Sequence, residues 1–190
     1  MTDEILNRTA HTASTGNPIV VMGVQGCGKS TVGRRLGDTL GLRFSDGDDL
    51  HSTQARAKMA AGHPLSDADR IPWLTLIAET IAASLANGQP IVVACSALKR
   101  SYRDLLRGIA PTLVFVELFG DQALIAKRLT QRNHEYMPAA LLDSQFAALE
   151  PLAADEAGVR INLTNTPDEI VDLAASFLKQ HDVPEEERDS

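Results

Sequence analysis

Gly23-Val24-Gln25-Gly26-Cys27-Gly28-Lys29-Ser30 is the stretch on which the fold turns. It fits the pattern G-x-x-x-x-G-K-[ST], and the apolar run Ile19-Val20-Val21-Met22 before it and the helical stretch after it supply the context that pattern requires. The glycines let the backbone curl until successive N–H groups face inward, and the following helix adds its positive N-terminal end. Such a loop selects an anion, and phosphate is the expected guest. Lys29 then reaches the β- and γ-phosphates of ATP, Ser30 Oγ is a hard oxygen ligand for Mg²⁺, and Val24, Gln25, Cys27 and Thr31 complete the nucleotide site. The competing reading is a glycine-rich strand-to-helix turn that happens to match. Cys27 also admits two readings, a thiol activated by the helix N-terminus or a small residue tolerated where only backbone meets phosphate; the second is preferred.

Outward from the loop, apolar runs bounded by turn residues alternate with segments of helical period. This is the pattern of an α/β fold, here a P-loop kinase fold with a parallel five-stranded sheet and helices on both faces. Strands are predicted at 19–23, 42–46, 90–95, 112–118 and 159–163. Helices are predicted from Thr75 to Leu85, around Leu124 to Leu129, and from Pro167 to Leu178 with Thr166 as N-cap and Glu169 at the third position. One domain, 18–180, is expected, with a flexible extension at 1–17 and an acidic disordered tail at 181–190. The segment 47–88 is too long for a simple crossover and reads as an inserted helical pair that binds substrate. The stretch 128–140 reads as a mobile lid.

A chain of 190 residues can bury a core without disulfides, and 44% hydrophobic with 23% charged residues fits a soluble globular protein. A net charge of −7 argues against nucleic-acid or anionic-membrane binding, which demands surplus Lys and Arg. No apolar run approaches the ~20 residues of a bilayer helix. Cys27 and Cys95 have neither zinc nor dithiol spacing, so the cytoplasm is the expected compartment.

Asp46-Gly47-Asp48-Asp49 follows the second predicted strand, at the sheet edge where open α/β folds bind ligands. Asp46 is placed to support Mg²⁺, and Asp48 to accept the proton of a substrate hydroxyl; the alternative is a solvated turn or helix cap. Further along stand Leu50-His51, Lys58-Met59, Gly62 to Arg70, Pro72-Trp73-Leu74, Cys95 to Asp104 and Leu142-Asp143-Ser144-Gln145-Phe146. With the aspartate cluster, these segments resemble the small P-loop type of gluconokinase from Ile19 to Glu156. The run Cys95-Ser96-Ala97-Leu98-Lys99-Arg100-Ser101-Tyr102-Arg103-Asp104 is the most diagnostic. The resemblance implies ATP-dependent phosphorylation of D-gluconate at its 6-hydroxyl, with Mg²⁺, by a homodimer. The chain departs from the family in the lid, where His134-Glu135-Tyr136 stands in place of Gly-His-Phe, and at Gln25 and Cys27, which replace small hydroxyl residues.

A sugar acid needs a cation for its carboxylate and polar groups for its hydroxyls. His51, Lys58, Arg70, Lys99 and Arg103 are the candidates; Arg70 and Arg103 suit two-pronged carboxylate binding, and Lys99 offers a point charge. Each taken singly reads equally as a surface residue. Trp73 and Met59 read as packing rather than ligand contacts. Arg128 and Arg132, four apart on the helix entering the lid, are placed to close over the phosphates and offset charge on the transferring group, against the alternative of an exposed helix face. The loop Asn162 to Pro167 is expected to border adenine. Two rival functions remain open at this point: a kinase for shikimate or another polyol acid, and a nucleotide-dependent switch. The second lacks an N-K-x-D guanine-reading motif.

Overall fold

The computed structural model describes residues 16–130 and 139–181. Five strands form one parallel sheet in the order β2-β3-β1-β4-β5. They are β1 (Ile19–Met22), β2 (Arg43–Asp46), β3 (Ile91–Ala94), β4 (Val114–Phe119) and β5 (Gly158–Asn162), each within two residues of its predicted position. β1 sits between β3 and β4, with Val20 opposite Val93 and Phe115.

The alternation of side chains along β1 divides the interior in two. Ile19 and Val21 join a core cluster with Val32, Leu36 and Leu40 of α1 (Lys29–Leu40) and Ile170, Ala174 and Leu178 of α7 (Pro167–His181). Val20 and Met22 face the other way, toward Leu74, Ile77 and Ile81 of α3 (Asp67–Ala86) and Leu106 of α4 (Arg100–Ile109). With both faces covered, β1 and β3 read as unbroken apolar runs rather than alternating ones, and β4 is broken only by Glu117. β2 lies at the edge, with Arg43 exposed and Ser45 and Asp46 partly buried.

The long segment between β2 and β3 holds a 3-10 turn at Gly47–Leu50, then α2 (Thr53–Ala60) and α3. α3 starts eight residues before the predicted Thr75. Ser66 caps it, accepting from the Asp69 N–H at 3.2 Å while Asp69 accepts from the Ser66 N–H at 2.7 Å. The helix runs through Pro72, which withholds one backbone donor. The apolar face formed by Trp73, Leu74, Ile77, Ala78 and Ile81 compensates by burial. At α7, Thr166 and Glu169 form the predicted reciprocal cap, at 2.7 and 3.3 Å. α5 (Gln122–Thr130) and α6 (Ala139–Ala148) flank the predicted lid. Its residues Arg132 and His134-Glu135-Tyr136 lie outside the described residues, as do most of the predicted N-terminal extension and most of the acidic tail. No described helix is long and apolar enough to cross a membrane.

Candidate functional site

The glycine-rich loop leaves β1 at Gly23 and enters α1 at Lys29. Val24 and Cys27 turn their side chains into the core, at 2% and 1% exposure, which leaves backbone to form the loop's outer surface. Gly23 has φ +138°, and a Cβ there would meet the Leu118 carbonyl oxygen at 2.6 Å. Gly28 also has positive φ, +101°, but a Cβ there would meet nothing within 4 Å. Open space over a left-handed glycine at a helix N-terminus is the geometry of an anion cradle. Lys29 Nζ donates to the Val24 carbonyl at 3.1 Å, folding back across the loop. Burial pushes the Cys27 thiol up, against the opposing charges of Lys29 and Arg128, which fits the packing reading of this residue over the reactive one.

The carboxylate cluster meets this loop directly. Ser30 Oγ donates to Asp46 Oδ2 at 2.6 Å, and Asp46 Oδ1 accepts the Asp48 N–H at 3.1 Å, so Asp46 caps the 3-10 turn that carries Asp48. A hydroxyl and a carboxylate beside a phosphate cradle are an oxygen donor set suited to Mg²⁺, which takes few protein ligands and completes its shell with water and phosphate oxygens. No group of three or more His, Cys, Asp or Glu with metal-binding geometry occurs among the described residues.

A cavity of about 660 Å³ runs from the loop into the inserted segment. Its wall includes Gln25 and Lys29 from the loop, Asp48 and His51, and Arg56 and Arg70 from the inserted helices. His51 stacks on Trp73 with ring centroids 4.2 Å apart. Its Nε2 lies 3.7 Å from Asp48 Oδ1, and burial lowers its pKa against the raising pull of Asp48. Met59 and Trp73, expected only to pack, both border the cavity.

Three of the basic residues expected to hold a sugar acid stand outside this wall. Lys58 pairs with Asp69 at 2.6 Å, and Lys99 pairs with both carboxylate oxygens of Asp67 at 2.8 Å. Arg103 must be corrected outright. It is fully buried, donates through Nε and Nη2 to the two oxygens of Glu156 at 2.7 Å each, and through Nη1 to the carbonyls of Ala97, Leu98 and Glu150. A guanidinium with its donors committed inside the protein has none to offer a substrate carboxylate. Arg70, by contrast, reaches the cavity, with Nη1 3.4 Å from the Tyr102 hydroxyl.

Over most of its length the chain is similar to a known group of kinases. A family model described as an AAA domain matches residues 19–152. The probable gluconokinase of Mus musculus is 44% identical over 178 residues, covering 85% of this chain and 97% of that protein. The gluconokinase of Gluconobacter oxydans is 43% identical, covering 86% of this chain and 92% of its own. Among solved structures, a gluconokinase from Sinorhizobium meliloti superposes with a TM-score of 0.82 at 41% identity, covering 88% and 94% of the two chains. The chain belongs to the gluconokinase family. It is therefore an enzyme, a P-loop kinase, and the switch reading falls away.

Two cavity residues of this gluconokinase-family chain were given no role from sequence. Arg56 donates to the His51 and Asp49 carbonyls at 3.0 and 2.6 Å, bracing the turn around Asp48. Gln145 of α6 accepts the Gln25 N–H at 2.7 Å, touching the glycine-rich loop from across the cavity. The motif Leu142 to Phe146 contained Gln145, but only the fold brings it to the loop. Arg128 of α5 donates to the Leu163 carbonyl at 2.9 Å, which joins the helix before the lid to the loop after β5.

Proposed function

We propose that the protein transfers the γ-phosphoryl group of ATP to the 6-hydroxyl of D-gluconate, giving 6-phospho-D-gluconate and ADP. The observation that carries this reading is the continuity of one cavity from the P-loop residues Gln25 and Lys29 to Asp48 and Arg70. Donor and acceptor would share that space, as direct transfer requires. Backbone N–H groups of 23–31 hold the phosphates, and Lys29 turns from Val24 to the β- and γ-oxygens. Ser30 Oγ and the Asp46 carboxylate would hold Mg²⁺, which would supply positive charge to the phosphate oxygens. Asp48 orients the acceptor hydroxyl and takes its proton at a carboxylate oxygen. Arg70, with Arg56 beside it, pairs with the gluconate carboxylate, and His51 borders the sugar hydroxyls. Arg128 offsets charge on the transferring group. Segment 47–88 serves as the acceptor-binding insertion and 128–140 as the lid. The enzyme works in the cytoplasm as a homodimer.

The test supplies ATP and Mg²⁺ with D-gluconate, glucose, shikimate and other sugar acids, and identifies products by mass and NMR. Phosphate on the C6 oxygen of gluconate, with glucose turned over poorly, is expected. Equal turnover of glucose, or ADP formation independent of any acceptor, overturns the reading.

A further inference from the structure

Asp48 sits on a short 3-10 turn at the sheet edge, a local structure too small to fix a carboxylate by itself. The structure supplies what the turn lacks. The buried Trp73 Nε1 donates to the carbonyl of Gly47, the residue before Asp48, at 2.7 Å. Gly47 packs closely on β3, where a Cβ would lie 2.5 Å from the Ala94 carbonyl oxygen, so the turn admits no side chain there. The Trp73 ring lies against His51 at an interplanar angle of 15°. His51, 5% exposed at its side chain, points Nε2 toward Asp48 Oδ1, while its buried Nδ1 has no hydrogen-bond partner among the described residues. A neutral imidazole with Nε2–H toward the carboxylate leaves only an acceptor lone pair unmatched at Nδ1, the less costly of the two tautomers here.

We propose that Trp73 and His51 are positioning residues for Asp48: the indole N–H holds the backbone of the turn, and the stacked imidazole holds the carboxylate toward the acceptor hydroxyl. This rests on the reading of Asp48 given above. Neither ring takes part in proton transfer. Their effect is to keep one carboxylate oxygen aimed at the place where the hydroxyl arrives, a placement in which an error near 1 Å can lower a rate by about 10².

The experiment measures kcat and KM for Trp73→Phe, His51→Phe and Asp48→Asn, and for each aromatic change combined with Asp48→Asn, well below each variant's Tm. Trp73→Phe keeps the stack and loses the N–H; His51→Phe keeps the stack and loses Nε2. Each is expected to lower kcat by about tenfold or more with the MgATP KM unchanged. On the Asp48→Asn background neither is expected to lower kcat further, because the group they aim is already disabled. A purely structural role would lower Tm and leave kcat per folded molecule intact, or would lower kcat equally in both backgrounds; either result overturns the proposal. Trp73 is the chain's one tryptophan, so its emission gives a readout besides turnover. It should change when D-gluconate is added with MgADP, and a flat titration places the stack away from the acceptor and also overturns the proposal. Near-normal turnover of Asp48→Asn itself would instead remove Asp48 from the mechanism, so the two failures are distinguishable.

Discussion

Glu156 titrates the stability of this protein in acid. The carboxyl is fully buried; burial alone would push its pKa up, but hydrogen bonds from Arg103 and the Ala153 N–H, with the charges of Arg103 and Arg107, outweigh that and bring it from 4.5 to about 2. In the unfolded chain the carboxyl regains its ordinary value, so the unfolded state binds the proton more readily than the folded one. The pair therefore contributes its full stability above about pH 4.5 and loses it as pH falls through about 2. A shift of that size corresponds to about 3 kcal/mol, a large part of the margin of an ordinary domain.

Glu156→Gln keeps the volume and removes the charge, leaving Arg103 buried without a counterion. Such a loss typically costs ~3–5 kcal/mol near neutrality. Urea unfolding followed by far-UV circular dichroism from pH 7 to pH 2.5 should show wild type and variant furthest apart above pH 5 and converging as the wild-type carboxyl is protonated. A gap that stays constant with pH would refute the assignment of Glu156 as the titrating group. A variant as stable as wild type at pH 7 would refute the importance of the pair. Arg103→Met is expected to fail in the same way, by lowered stability; a variant of unchanged stability and raised gluconate KM would return Arg103 to the substrate site.

Three further predictions concern the site. Lys29→Ala should lower turnover by about 10² or more with Tm unchanged, since Lys29 lines the cavity and its ammonium donates to the Val24 carbonyl rather than to a core partner; parallel loss of Tm would give it a structural role instead. Asp46→Asn, which weakens the oxygen pair with Ser30, should raise the Mg²⁺ concentration for half-maximal activity by about tenfold, and an unchanged Mg²⁺ curve would take Asp46 off the metal. Arg128→Ala should lower kcat more than it raises the ATP KM; an effect on KM alone would mean that Arg128 acts through the Leu163 loop rather than on the transferring phosphoryl group.

What could be read from the sequence was what short-range chemistry determines. The glycine-rich loop and the central strands β1 and β3 are local patterns, since parallel strands covered on both faces are mostly apolar. The cap at Thr166 and Glu169 joins residues three positions apart and is equally visible. The start of α3 was missed because Pro72 weighs against a helix locally, while the burial of Trp73 and Leu74 that outweighs it is a tertiary effect. Arg103 was misread because its partner stands 53 residues away, and an arginine beside other cations looks like a ligand site until its counterion is seen. Gln145, 120 residues from the Gln25 N–H that it accepts, was beyond any local reading.

The run Cys95 to Asp104 shows how a segment can identify a family without lining its substrate site. Only Ser96 of that run borders the cavity among the described residues. The rest builds a clamp. Ser96 accepts the Gly23 N–H at 3.3 Å, tying the run to the first glycine of the P-loop. Ala97 follows at φ +40°, a left-handed conformation that a non-glycine residue adopts at some strain. Arg103 binds the Ala97 and Leu98 carbonyls from inside, and Leu98 in turn accepts the Glu150 N–H at 2.9 Å just beyond α6, the helix that carries Gln145 back to the P-loop. The buried ion pair therefore does more than hold the core together. It holds the loop beside the phosphate cradle and the helix across the cavity from it in one network. Loosening Arg103 or Glu156 would blur the geometry between nucleotide and acceptor without removing any group that touches either.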